Sequence, residues 1–135
     1  MRDIFYLDES VLLPLASSSP RKEGLIKALE DRARRREAFC TSLFSLSFIQ
    51  KYFDERDELQ KCRYFLRELK PLFQEILEPN AGDLERALEL RELYSPSLAA
   101  ARQAALMLNR DINRLLSFNT EYDLMPEITR IPPES

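Results

Sequence analysis

Histidine is absent from all 135 residues, and that alone narrows the chemistry. Without imidazole there is no Ser-His-Asp or Cys-His nucleophile system, so the chemistry falls to carboxylates, lysines and hydroxyls. The stretch LLSFNTEYDLMPEITRIPP, from Leu115 to Pro133, presents Asn119, Glu121 and Asp123 directly after an apolar run. At the other end of the chain Asp8 follows the apolar run Ile4 to Leu7, and Ser42 closes AFCTS. Cys40 and Cys62, without histidine, cannot make an ordinary closed zinc site and read as reduced, buried thiols.

Elements that would position these groups follow from the hydropathy pattern. Ile4 to Leu7 reads as a buried strand, Asp8-Glu9-Ser10 as its polar edge, and Val11 to Leu13 as a helical turn before Pro14. In SSSPRKEGLIKALEDRARRRE, Ser19 is a natural N-cap, Pro20 suits the first helical position, and Leu25, Ile26, Leu29 and Ala33 share one face. Ala38 to Ser42 resembles a core strand meeting a loop, and Leu43 to Phe53 a helix buried on several sides. Leu59, Cys62, Leu66 and Leu69 mark a further helix, ended or bent by Pro71, with Asp54, Glu55, Asp57 and Glu58 as its solvated start. Gln74 to Pro79 either prolongs that helix or forms a brief strand.

Asn80 to Asp83 supplies turn and cap residues for a helix carrying Leu84, Ala87, Leu88 and Leu90. The alanine-rich LAAARQAALMLNRD is a helix able to pack close against a neighbour. Ile112 to Phe118 reads as a strand, and Glu127 to Ile131 as an edge strand stopped by Pro132-Pro133.

Short strands alternating with helices predict an α/β fold, a parallel sheet covered on both faces, in one domain over residues 1–135. Function in such sheets gathers at the carboxyl ends of strands, where Asp8, Ser42 and Asn119 would converge. The net charge of -3 speaks against a nucleic-acid coat protein and against tight non-specific DNA binding. No apolar run approaches the ~20 residues that span a bilayer, so no membrane partner is expected. Acidic residues in MRDIFYLDESVLLPL are foreign to a signal peptide, which makes a cytoplasmic location the expectation.

Three segments resemble the PIN-domain proteins, which include the VapC-type toxins of bacterial toxin–antitoxin pairs. FYLDESVLLPL is similar to the family's first strand, ending in an Asp followed two residues later by Ser or Thr. AFCTSLFSLSFI resembles its second strand, with a Thr-Ser pair leading into a helix, and SFNTEYDLMPEITRIPP its closing signature. The resemblance spans nearly the whole chain and implies a three-layer α/β/α domain with a short, mostly parallel central sheet.

It also implies a Mg²⁺- or Mn²⁺-dependent ribonuclease with three or four acids around the metal. Asp8 matches the first acid. The second falls at Ser47 or Phe48 and the third near Ala100, neither of which is acidic, and the fourth matches Asn119. Glu121 matches a further acid of the closing signature, so Asp8 and Glu121, with Asn119, are the candidate metal and catalytic set.

The leading expectation is therefore a catalytically degenerate PIN-like domain that binds an antitoxin-like protein or RNA and forms a homodimer, as the resemblance implies. The alternatives are a metal-dependent endoribonuclease working with the reduced carboxylate set, and a helical interaction module outside the family. Arg34, Arg35 and Arg36 are candidate RNA contacts, against the commoner role of helix C-terminal arginines in complementing the dipole.

Overall fold

The computed structural model describes residues 3–134; Met1 and Arg2, part of the leader segment weighed above, and Ser135 lie outside the described residues. Five parallel strands form one sheet in the order β3-β2-β1-β4-β5: β1 (Ile4–Leu7), β2 (Ala38–Ser42), β3 (Phe73–Leu77), β4 (Arg114–Leu116) and β5 (Thr129–Ile131). Such a sheet is the parallel architecture expected from the alternating pattern, and it removes the purely helical alternative. Gln74 to Leu77 belongs to strand β3, paired with β2, because Pro71 closes the preceding helix and Phe73 starts extended backbone.

Among the described residues six α-helices cover the sheet: α1 (Glu9–Ala16), α2 (Lys22–Arg34), α3 (Leu43–Glu55), α4 (Leu59–Leu69), α5 (Ala81–Tyr94) and α6 (Leu98–Leu108). Strand residues alternate between two cores, as the two-residue period of a strand requires. Tyr6, Cys40 and Leu115 pack with α5 and α6, where Ala100, Ala101, Ala104 and Ala105 allow close approach. Phe5, Leu7, Phe39 and Leu116 pack on the other face with α1 to α4, through Val11, Leu25, Ile49 and Cys62. The layers are thus α/β/α, and Cys40 and Cys62, both free, lie in different cores.

Several boundaries differ from the expectation. Helix α2 starts at Lys22 rather than at Pro20: the Ser19 hydroxyl accepts from the Arg21 N–H and its carbonyl from the Lys22 N–H, so Ser19 caps a turn that precedes the helix. Of the acidic run only Glu58 starts a helix, as the N-cap residue of α4. Asp54 and Glu55 end α3, where the Glu58 N–H reaches back to the Phe53 carbonyl and Asp57 takes a left-handed φ of 55°. Strand β4 is shorter than Ile112 to Phe118, because the Ile112 N–H closes α6 on Met107 and Ser117 turns toward the site. Strand β5 likewise begins only at Thr129.

Candidate functional site

The sheet order reverses beside β1, since the chain moves from β1 through β2 to β3 and then crosses back to β4 and β5. A crevice at the carboxyl ends of β1 and β4 is the expected result. Asp8 and Ser117 meet there. Asp8 is the N-cap of α1: its Oδ1 accepts from the Ser10 N–H at 3.1 Å and the Ser10 hydroxyl at 2.6 Å. Its Oδ2 accepts from the Ser117 hydroxyl at 2.7 Å, across the switch point. Ser10 also takes the Phe118 N–H at 2.9 Å, so the first helix and the last loop are laced together. Burial, and then the charge of Glu9, push the Asp8 carboxyl up to about 6 despite these hydrogen bonds.

From Ser117 the lacing continues along the loop. Ser117 Oγ accepts the Asn119 N–H at 2.9 Å, and Asn119 Oδ1 accepts the Glu121 N–H at 3.0 Å, capping the short 3-10 turn Thr120–Leu124. Glu121 Oε1 in turn accepts the Ser97 N–H at 2.9 Å, just ahead of α6. Hydrogen bonding from Ser97 holds the Glu121 carboxyl below the usual range. Asp8, Asn119 and Glu121, all predicted from the sequence, therefore do share one edge, joined through Ser117.

A second set of polar groups lies beside this loop. The Tyr6 hydroxyl meets Ser42 Oγ at 2.6 Å and donates to Gln103 Oε1 at 2.7 Å; Ser45 donates to the same oxygen at 2.8 Å. Gln103 Nε2 donates to Glu9 Oε2 at 2.7 Å. The Tyr122 hydroxyl is buried with no hydrogen-bond partner among the described residues, and burial together with the charges of Asp8 and Glu9 pushes it up. Ser42 caps α3 through the Phe44 N–H, and Thr41 donates to the Leu7 carbonyl at 2.7 Å.

The sequence matches the family model described as PIN domain over residues 5–128. The chain belongs to the PIN-domain family. No curated protein matches it, but solved structures do. VapBC2 from Rickettsia felis, bound to a DNA fragment from its promoter, is similar with a TM-score of 0.78 and 14% identity, over 95% of this chain and 97% of that one. A Klebsiella pneumoniae toxin–antitoxin complex gives 0.71 and 22%, over 96% and 97%. Mycobacterium tuberculosis VapC20, a sarcin–ricin loop cleaving toxin, gives 0.70 and 17%, over 92% and 95%. At these identities the likeness is one of fold, and it covers each chain almost completely.

The PIN-domain family is generally divalent-metal dependent, and the residues here fit such an ion poorly. Among the described residues no three of the Asp, Glu and Cys side chains are grouped to hold a metal ion. Phe48, at the second acid position, is partly exposed on α3 and offers no ligand. Ala100, at the third, is buried in the alanine core; the start of α6 that faces Glu121 is Ser97. Asn119 directs its carbonyl oxygen into the backbone of its own loop. Both oxygens of Asp8 and one of Glu121 already accept hydrogen bonds at 3.1 Å or less.

Glu9, Gln103, Ser45 and Tyr6 are site residues that sequence reasoning missed. Glu9 adjoins Asp8 and was open to notice; Gln103 sits mid-helix among alanines, and only the packing of α6 on the sheet reveals its partners. Arg34, Arg35 and Arg36 fall elsewhere. They precede Ala38, which pairs with Ile4 at the amino end of the sheet, opposite the PIN site. Arg34 pairs with Glu30 and Asp31, and Arg35 with Glu37.

Proposed function

We propose that this PIN domain keeps the VapC-type shape without a working metal centre, and acts by binding an antitoxin-like protein partner, with a homodimer as its assembly. The observation that carries this reading is the state of the acid positions. Phe48, Ala100 and Asn119 supply no negative charge where the family resemblance implies acids, and the two matched carboxylates, Asp8 and Glu121, are engaged in capping backbone. Mg²⁺ and Mn²⁺ keep some of their waters but still need free carboxylate oxygens to hold them, and three of the four oxygens of Asp8 and Glu121 already accept hydrogen bonds at 3.1 Å or less. Toxin–antitoxin complexes among the similar folds support a protein partner. RNA is the weaker candidate at this edge, because Asp8, Glu9 and Glu121 repel phosphate and the arginines Arg34 to Arg36 lie at the opposite end.

The test is cleavage of structured RNA with Mg²⁺ or Mn²⁺, comparing the wild type with Asp8→Ala. No metal-dependent cleavage is expected from either. Cleavage by the wild type that the substitution abolishes would establish the endoribonuclease reading with Asp8 and Glu121 instead. Light scattering on the purified chain reads the assembly, with a dimer mass expected.

A further inference from the structure

Gln103 is buried in the middle of α6, where a long polar side chain is costly unless its groups are matched. Both ends of its amide are matched. The nitrogen donates to Glu9 at the start of α1, and the oxygen accepts two hydroxyls, Tyr6 from β1 and Ser45 from α3. Glu9 decides which way the amide points, since the reversed amide would set its carbonyl against a carboxylate. A carboxylate in this place would face Glu9 with like charge, and an asparagine would be one methylene too short to reach all three partners.

We propose that Gln103 is the residue that fixes the carboxyl edge: its amide orients Glu9 and joins α6 to α1, β1 and α3. Its N–H supplies the partial positive charge that Glu9 faces, and its carbonyl ties α6 to β1 and α3. The edge therefore keeps its arrangement without an ion. This rests on the reading that the family's ion site is no longer built, and adds which side chain holds the edge together. The titratable groups around the cluster are Tyr6 on β1, Asp8 and Glu9 at the start of α1, and Tyr122 and Glu121 after β4.

Thermal unfolding of the full chain, followed by circular dichroism in EDTA and in millimolar Mn²⁺, tests it. The wild type is expected to melt at the same temperature in both. Gln103→Glu should melt lower at neutral pH in EDTA, by roughly 5–15 °C. That deficit should shrink as the pH falls toward about 4, where the new carboxyl is protonated and donates to Glu9 again. The double variant Gln103→Glu with Glu9→Gln, which swaps amide and acid, should recover most of the loss. A deficit that ignores pH and is not recovered by the swap would mean that Gln103 only fills space, and would overturn the proposal. Gln103→Glu melting like the wild type in EDTA would overturn it as well. A wild type stabilised by Mn²⁺ through Asp8, with that gain lost in Asp8→Ala, would instead overturn the underlying reading of the ion site.

Discussion

Replacing Asp8 by asparagine should make this protein more stable at neutral pH, although it removes a side chain with three hydrogen bonds. The ordinary carboxyl value is 3.8 and the folded value about 6, raised first by burial and then by Glu9. Below the lower value Asp8 is protonated in both states and favours neither. Between the two the unfolded chain ionises first, so stability falls as the pH rises. Above about 6 the loss is complete, and at about 1.36 kcal/mol per pH unit it reaches about 3 kcal/mol. Asparagine keeps the cap through its carbonyl oxygen and can donate to Ser117, but it gives up the stronger bonds that Ser10 and Ser117 make to a charged acceptor. The expected net gain is therefore about 1–3 kcal/mol near pH 8, vanishing or reversing near pH 4. Urea unfolding of both proteins across this range measures the difference directly. An Asp8→Asn protein less stable near pH 8, or a difference that does not vary with pH, would refute the reasoning.

Other outcomes follow from single contacts. Asp83, buried at the start of α5, is burdened by desolvation, yet hydrogen bonds from Arg110 at 3.0 Å and 3.1 Å, from Asn109 and from the Asn80 N–H hold its carboxyl below the usual range. Arg110→Ala should cost about 2–4 kcal/mol in urea unfolding at neutral pH. That cost should narrow as acid protonates Asp83, since a lowered carboxyl contributes stability above its ordinary value and loses it as the pH falls through the folded one. Arg36 holds a φ of 66° behind α2, so Arg36→Gly should add about 0.5–1 kcal/mol; an unchanged stability would show that the turn carries no strain. Cys40 is pushed up to about 12 by burial and then by Glu75, and burial also raises Cys62. Neither thiol should react with an aromatic disulfide reagent until urea unfolds the chain, and fast labelling of either in the native protein would contradict their burial.

The architecture was legible because it rests on local, repeated signals. Four-residue apolar runs such as Ile4 to Leu7, set between helices with one apolar face, leave few packings besides a covered parallel sheet. Helix ends were read less well. Arg36, Asp57 and Asp111 take left-handed φ values behind α2, α3 and α6 without the glycine that usually signals such a stop. Asp57 thereby turned an apparent helix start into the break between α3 and α4.

The order of residues by itself determined which groups reach the carboxyl edge. Asp8 and Asn119 follow β1 and β4 and Ser42 closes β2, and parallel strands deliver such positions to the same side. It also determined that an amide stands at Asn119 and that no acid stands at Phe48 or Ala100. What those groups do there was decided by tertiary structure alone. Hydrogen bonds depend on angstrom-scale approach between elements far apart in the chain. Asp8 meets Ser117, Glu121 meets Ser97, and Gln103 meets Glu9 only once α6 and the last loop have packed on the sheet. That packing turned a row of candidate ligands into caps and ties, because an oxygen already accepting from a nearby N–H or O–H has less to offer a cation.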